Sequence, residues 1–156
     1  MDYSDLLTFV HTKSEVYDFM TKLELAGSYL YDKNRDPKKV LSTVFPLDKK
    51  NAVENLCIQN SVSLDNPTAF ADFIKDVKKY LDGLETVILT VAFEPNAAML
   101  SKIADQLAGD LSRGVVIDLR VDKKIIGGAV IEFAGRRADY TVRKILNEKL
   151  NAKKDV

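Results

Sequence analysis

Side chains able to perform chemistry are scarce in this chain. A thiol nucleophile needs a nearby base, and a zinc site needs several Cys and His residues at matched spacing. The sequence holds one cysteine, Cys57, and one histidine, His11. Cys57 lies in an apolar-periodic stretch with Val53 and Leu56 and reads as a small buried hydrophobe, and a lone cysteine excludes an intrachain disulfide. His11 has no companion at ligand spacing. The carboxylates Asp118, Asp122 and Asp139 are scattered, with no Ser, His or Cys constellation beside them. No catalytic residue, metal ligand or cofactor-binding residue is expected.

The adjacent glycines Gly127 and Gly128 invite a ligand-binding reading and fail its requirements. A phosphate loop needs glycines with a lysine and a hydroxyl at fixed spacing, and a dinucleotide fingerprint needs Gly-x-Gly-x-x-Gly between strand and helix. An RNA-binding KH loop needs Gly-x-x-Gly between two helices, whereas this pair sits between two apolar, β-branched runs. A turn, a bulge or a close backbone approach is the better reading, because glycine alone accepts positive φ freely.

Basic residues cluster at Lys123-Lys124, Arg136-Arg137 and Lys153-Lys154, each a short run of the kind that usually lies solvated at a surface. The whole chain balances 23 basic against 23 acidic residues. A nucleic-acid module concentrates an excess of cations. Nucleic acid is therefore an unlikely partner, and an RNA- or ribosome-associated α/β module using Lys123, Lys124, Arg136 and Arg137 on phosphates is the alternative reading.

The elements that position these residues divide near Asp82-Gly83, giving an N-terminal domain over 1–82 and a C-terminal one over 83–156. The first part is helical in pattern. A short helix spans Ser4 to Val10, and Val16, Phe19, Met20, Leu23 and Ala26-Gly27 share one helical face. Asp36-Pro37 opens a helix to Phe45 that Pro46 ends, and Asp48 to Asn60 makes the next. Asn66-Pro67 starts a long helix with the stripe Phe70, Phe73, Ile74, Val77 and Leu81. After Gly83, Thr86 to Phe93 reads as a strand. Pro95 opens a helix to Leu111 with Met99, Leu100, Ile103, Leu107 and Leu111 facing inward. Val115 to Val121 and Ala129 to Ala134 are strands on either side of the glycine pair. Gly135-Arg136-Arg137 supplies a turn. Asp139 or Thr141 caps a last helix whose apolar positions are Val142, Ile145, Leu146 and Leu150. The fold class is α+β: a bundle of short helices, then a small α/β sandwich of one sheet against helices.

No stretch has the roughly 18 to 20 consecutive apolar residues that span a bilayer. The opening Met1-Asp2-Tyr3-Ser4-Asp5 is acidic, unlike a secretory signal or a transit peptide, and points to a cytoplasmic location.

The run Val121-Asp122 through Ile126-Gly127-Gly128 to Phe133, continued by Arg136 to Leu146, resembles the C-terminal signature of the ATP synthase delta subunit family, also called the oligomycin-sensitivity-conferring protein. In that signature a strand ends in Val-Asp, an Ile-Gly-Gly turn follows, and after the next strand an aspartate and a small hydroxyl residue open a last helix carrying an arginine. Gly127, Gly128, Asp139 and Arg143 stand at those positions. Thr86 to Pro95 is similar to the family's strand entering its C-terminal domain. The resemblance implies a non-catalytic, peripheral-stalk connector of an F-type ATP synthase, at the cytoplasmic face of the membrane and not inserted in it. It implies two partners: the N-terminal helix of the head's alpha subunit on the helical half, and the b subunits of the stalk on the α/β half. Val142, Arg143, Leu146 and Leu150 are the candidate stalk contacts.

Overall fold

The computed structural model of the protein describes residues 3–152, with side chains of the last helix described through Asn147. Met1-Asp2 of the acidic opening and the pair Lys153-Lys154 lie outside the described residues, as does the side chain of Leu150. Two compact units are present, the first ending at Leu84 and the second beginning at Glu85. The class is α+β, with helices as the elements among the described residues of the first unit and a four-stranded sheet with helices in the second.

The first unit opens with a 3-10 helix, Ser4–Thr8, shorter than the helix expected to Val10. The amides of Phe9 and Val10 both fold back on the Leu6 carbonyl, which closes the turn. α1 (Lys13–Leu30) begins at a capping box: Glu15 N donates to Thr12 Oγ1 at 3.2 Å and Thr12 N donates to Glu15 Oε2 at 2.9 Å. Two of the orphan amides of a helix start are thereby satisfied. α2 (Pro37–Val44) and α4 (Pro67–Asp82) start with an Asp or Asn cap followed by proline, Asp36-Pro37 and Asn66-Pro67. α3 (Leu47–Gln59) lies between them. Their apolar faces meet in one core that includes Leu6, Phe19, Leu23, Leu41, Val53, Leu56, Phe70, Phe73 and Val77. The tilted rings of Phe70 and Phe73 meet at a centroid distance of 5.6 Å, and Phe19 meets Phe45 at 5.7 Å. Cys57 is buried in this core. Burial, then the Glu54 carboxylate, pushes its thiol up to about 12.

In the second unit β1 (Glu85–Val91) leads through α5 (Ala97–Leu111) to β2 (Val115–Val121), which pairs parallel with β1 in the register Leu89↔Leu119. β3 (Ala129–Phe133) pairs antiparallel with β1 in the register Leu89↔Ile131. A fourth strand, β4 (Arg136–Asp139), corrects the expected Gly135-Arg136-Arg137 turn. The turn is Ala134-Gly135, with φ of 49° and 75°. Paired positive φ values make the tight reversal whose twist matches that of antiparallel strands. The two arginines therefore open the strand, Phe133↔Arg136 and Glu132↔Arg137 being cross-strand partners. The sheet order is β2-β1-β3-β4. α6 (Val142–Ala152) follows β4.

Alternation gives this sheet two unlike faces. Leu89, Val91, Ile117, Leu119, Ala129 and Ile131 share the face on which Ile103, Ala104 and Leu107 of α5 pack. The opposite face carries the ion pairs Asp118–Arg120 at 3.0 Å and Glu132–Arg137 at 3.7 Å. Exposed pairs of this kind contribute about 0–1 kcal/mol each. Met99, expected to face inward from α5, is 44% exposed. Asn96 is the cap of that helix, accepting from Met99 N at 2.8 Å, so Pro95 precedes the first turn instead of opening it.

Candidate functional site

The glycine pair of the second unit works through contact with the chain that leads into α6. Gly128 has φ of +86°, and a Cβ placed there would overlap the Tyr140 carbonyl oxygen and lie 2.9 Å from Thr141 Cα. A side chain at Gly127 would meet Val142 Cγ2 at 3.2 Å. Backbone hydrogen bonds hold the two segments at that distance: Tyr140 N donates to Ala129 O at 2.8 Å and Val142 N to Gly127 O at 3.0 Å. Asp139 accepts from Thr141 N at 2.9 Å, and Thr141 Oγ1 accepts from Lys144 N at 3.4 Å. Thr141 is thus the helix cap and Asp139 orders the residue before the helix. Hydrogen bonds from Thr141, side chain first and backbone second, hold the Asp139 carboxyl below the ordinary range, with Lys144 and Arg137 adding to them. Gly127, Gly128, Asp139 and Val142, singled out from the sequence, meet at this root.

Beyond the root, α6 presents its apolar positions to solvent. Val142 is 40%, Ile145 44% and Leu146 53% exposed. Arg143 is exposed beside that stripe and lines a small polar pocket on the charged face of the sheet with Lys124, Arg137, Asp122 and Asp139. Three cations and two carboxylates in one pocket give no concentrated positive field. Among the described residues no three His, Cys, Asp or Glu side chains come together to hold a metal ion.

Sequence reasoning missed the apolar groove on the other face of the sheet. It has a volume of about 540 Å³ and opens between α5 and β3. Met99, Ile103 and Leu107 line one wall, Ala129 and Ile131 the other, and Phe93 and Tyr140 stand exposed at it. Asp110 is the one charged side chain among the described residues that line it. The available signal was Phe93 following the strand and Met99, Ile103 and Leu107 at three- and four-residue spacing. That spacing reads equally as core.

The first unit has a groove of its own, about 390 Å³ between α1 and α4. Val16, Met20 and Leu81 form its apolar floor, Tyr17 projects with 77% exposure, and Lys13, Glu24, Lys78 and Asp82 surround it.

The model of the ATP synthase delta (OSCP) subunit family matches residues 63–152, more than half of the chain. The chain belongs to this family. The match takes in α4 and every described element of the second unit. Among curated proteins it is similar to the ATP synthase subunit delta of Moorella thermoacetica, 25% identical over 115 residues, which cover 72% of this chain and 64% of that protein. The subunit delta of Rhodobacter capsulatus is 34% identical over 47% of this chain and 40% of its own length. That of Rhizorhabdus wittichii is 32% identical over 42% and 35%. The matched stretch therefore spans less than two thirds of each of these relatives. A chain of the Polytomella F-ATP synthase, solved by cryo-EM in primary rotary state 3, is similar at 24% identity over 46% of this chain and 92% of that one, with a TM-score of 0.42. Within the delta (OSCP) family match lie both the glycine-rooted α6 and the open groove.

Proposed function

We propose that this protein is the peripheral-stalk connector of a rotary F-type ATP synthase, a non-catalytic subunit that ties the catalytic head to the stator. Torque on a central rotor does chemical work only if the head is kept from turning with it, and a connector with two separate docking surfaces supplies that restraint. The observation carrying this reading is that the family-matched second unit leaves an apolar groove and the apolar stripe of α6 open to solvent. Open apolar surface of this kind marks a place where another chain docks.

The stalk's b subunits are assigned to the second unit, through Val142, Arg143 and Leu146 of α6, with Leu150 next on the same stripe by sequence. The N-terminal helix of the alpha subunit is assigned to the α1–α4 groove, where an amphipathic helix lays its apolar side on Val16, Met20 and Leu81. Both partners place the protein peripherally at the cytoplasmic face of the membrane. No described helix is long and apolar enough to cross a bilayer.

The test is affinity purification of the tagged chain from gently solubilised membranes, followed by mass spectrometry. Alpha, beta and b subunits are expected together. Leu146→Asp should lose the stalk subunits and retain the head, while Tyr17→Ala should weaken recovery of the head and retain the stalk. Recovery of ribosomal proteins or RNA without synthase subunits would overturn the assignment in favour of the basic-cluster alternative.

A further inference from the structure

α6 differs from the other helices of the chain in what it buries. α2 has only eight residues and still buries Val40 and Leu41, and α1, α3, α4 and α5 each bury two side chains or more. None of the described side chains of α6, Val142 through Asn147, is buried. Packing of an apolar face supplies most of the stability of a protein helix, and an isolated helix of fewer than about 12–15 residues is marginal in water. α6 has 11 residues. Its first turn carries Arg143 and Lys144 and no acid, which opposes the helix dipole.

The root is the exception. Starting a helix is the unfavourable step, because several residues must be fixed for one hydrogen bond, whereas each further residue then adds a bond of its own. Val142 N donates to Gly127 O, Lys144 N to the Thr141 cap and Thr141 N to Asp139, so the first turn is fixed from the sheet side. We infer that, in the chain by itself, α6 beyond this root winds and unwinds independently of the sheet, and that docking on the apolar stripe completes the helix from a nucleus already in place. The docking half rests on the stalk assignment, whereas the winding half rests on this chain alone. Binding then includes the ordering of α6, so a change that favours the helix without touching the stripe tightens the contact. Asn147 offers such a position, exposed and outside the stripe of Val142, Ile145 and Leu146.

Residue-by-residue amide exchange of the full chain, read by NMR with and without mild urea, tests the winding. Protection of the Leu146 and Asn147 amides, relative to intrinsic rates, is expected at least about a hundredfold below that of β1, which is paired on both sides, and without dependence on urea. Asn147→Ala should raise protection at Leu146 about threefold, the scale of the difference in helix propensity. Thr141→Ala should lower it about fivefold through loss of the cap. Both should leave β1 unchanged. Amides of α6 protected as strongly as those of β1, or Thr141→Ala lowering both alike, would overturn the winding. For the docking, the amount of tagged Asn147→Ala chain that half-saturates recovery of stalk subunits from membranes depleted of the native subunit should fall about threefold. An unchanged amount would overturn the coupling and leave the connector role standing. Recovery of no synthase subunits by either chain would remove the connector role together with the coupling, and the exchange result would still decide the winding.

Discussion

Gly128 and Tyr140 are packed backbone to backbone, so that any side chain at position 128 would overlap the carbonyl oxygen of Tyr140. This contact, with the hydrogen bonds on either side of it, sets the point at which α6 leaves the sheet.

Gly128→Ala should therefore destabilise the second unit. The left-handed conformation alone costs a non-glycine residue on the order of 1–3 kcal/mol, and displacement of the Tyr140 carbonyl adds to that. Gly127→Ala meets only the end of the Val142 side chain at 3.2 Å and should cost less than about 1 kcal/mol. Urea unfolding of the two variants should separate them in this order. Equal losses would show that the backbone contact is unimportant.

Phe70 is fully buried and touches both Phe73 and the Gly27 face of α1. Phe70→Ala should lower stability by about 3–5 kcal/mol, the usual result of deleting a buried ring. A chemical denaturation midpoint within error of the parent would contradict the packing described.

The thiol of Cys57 gives the first unit an alkaline weakness. Its native pKa, pushed up to about 12 from the ordinary 9.0, lies above that of the unfolded chain. Between those values the unfolded state has released a proton that the native state retains, so stability is intact below pH 9 and declines as pH rises toward 12. Cys57→Ala should flatten that decline when denaturation is followed at a series of alkaline pH values. A thiol reagent should label the native chain only at the rate at which it unfolds.

Asp139 gives α6 an acid response of opposite sign. Its native pKa lies below the ordinary 3.8, so its contribution is present above that value and is lost as pH falls through the lower, native one. Protection of the Thr141 and Val142 amides, after division by the intrinsic exchange rate at each pH, should fall over this range, and Asp139→Asn should remove that fall. Protection that stays constant with pH in the parent would mean that the carboxylate does not hold the root.

Ala134 occupies a left-handed position, φ 49°, in the turn before β4. Asparagine tolerates that region and precedes glycine in favourable two-residue turns. Ala134→Asn should raise stability by about 0.5–1 kcal/mol in thermal or urea unfolding.

Much of this architecture was legible in the residues. Asp36-Pro37 and Asn66-Pro67 announce helix starts, and the stripes of α1 and α4 announce which sides face inward. β4 was hidden because Arg136-Arg137 looks like solvated turn chemistry, and the Ala-Gly reversal before it carries only one of the two residues such turns favour. The fate of the α6 stripe was hidden for a deeper reason. Val142, Ile145 and Leu146 have the spacing of a buried face, and spacing cannot say whether the surface that buries them belongs to the same chain. Met99 misled in the same way, because a groove wall and a core wall draw on the same side chains.

The open groove between α5 and β3 also bears on how this sequence can change over generations. An interior residue needs to stay compatible only with neighbours encoded beside it. Phe93, Met99 and Tyr140 stand exposed at the groove, so if a partner chain covers them there, a substitution at one would be tolerated when that partner's surface shifts in step. Exchange of this subunit between distant species should then fail first at the groove, with the fold of the second unit left whole.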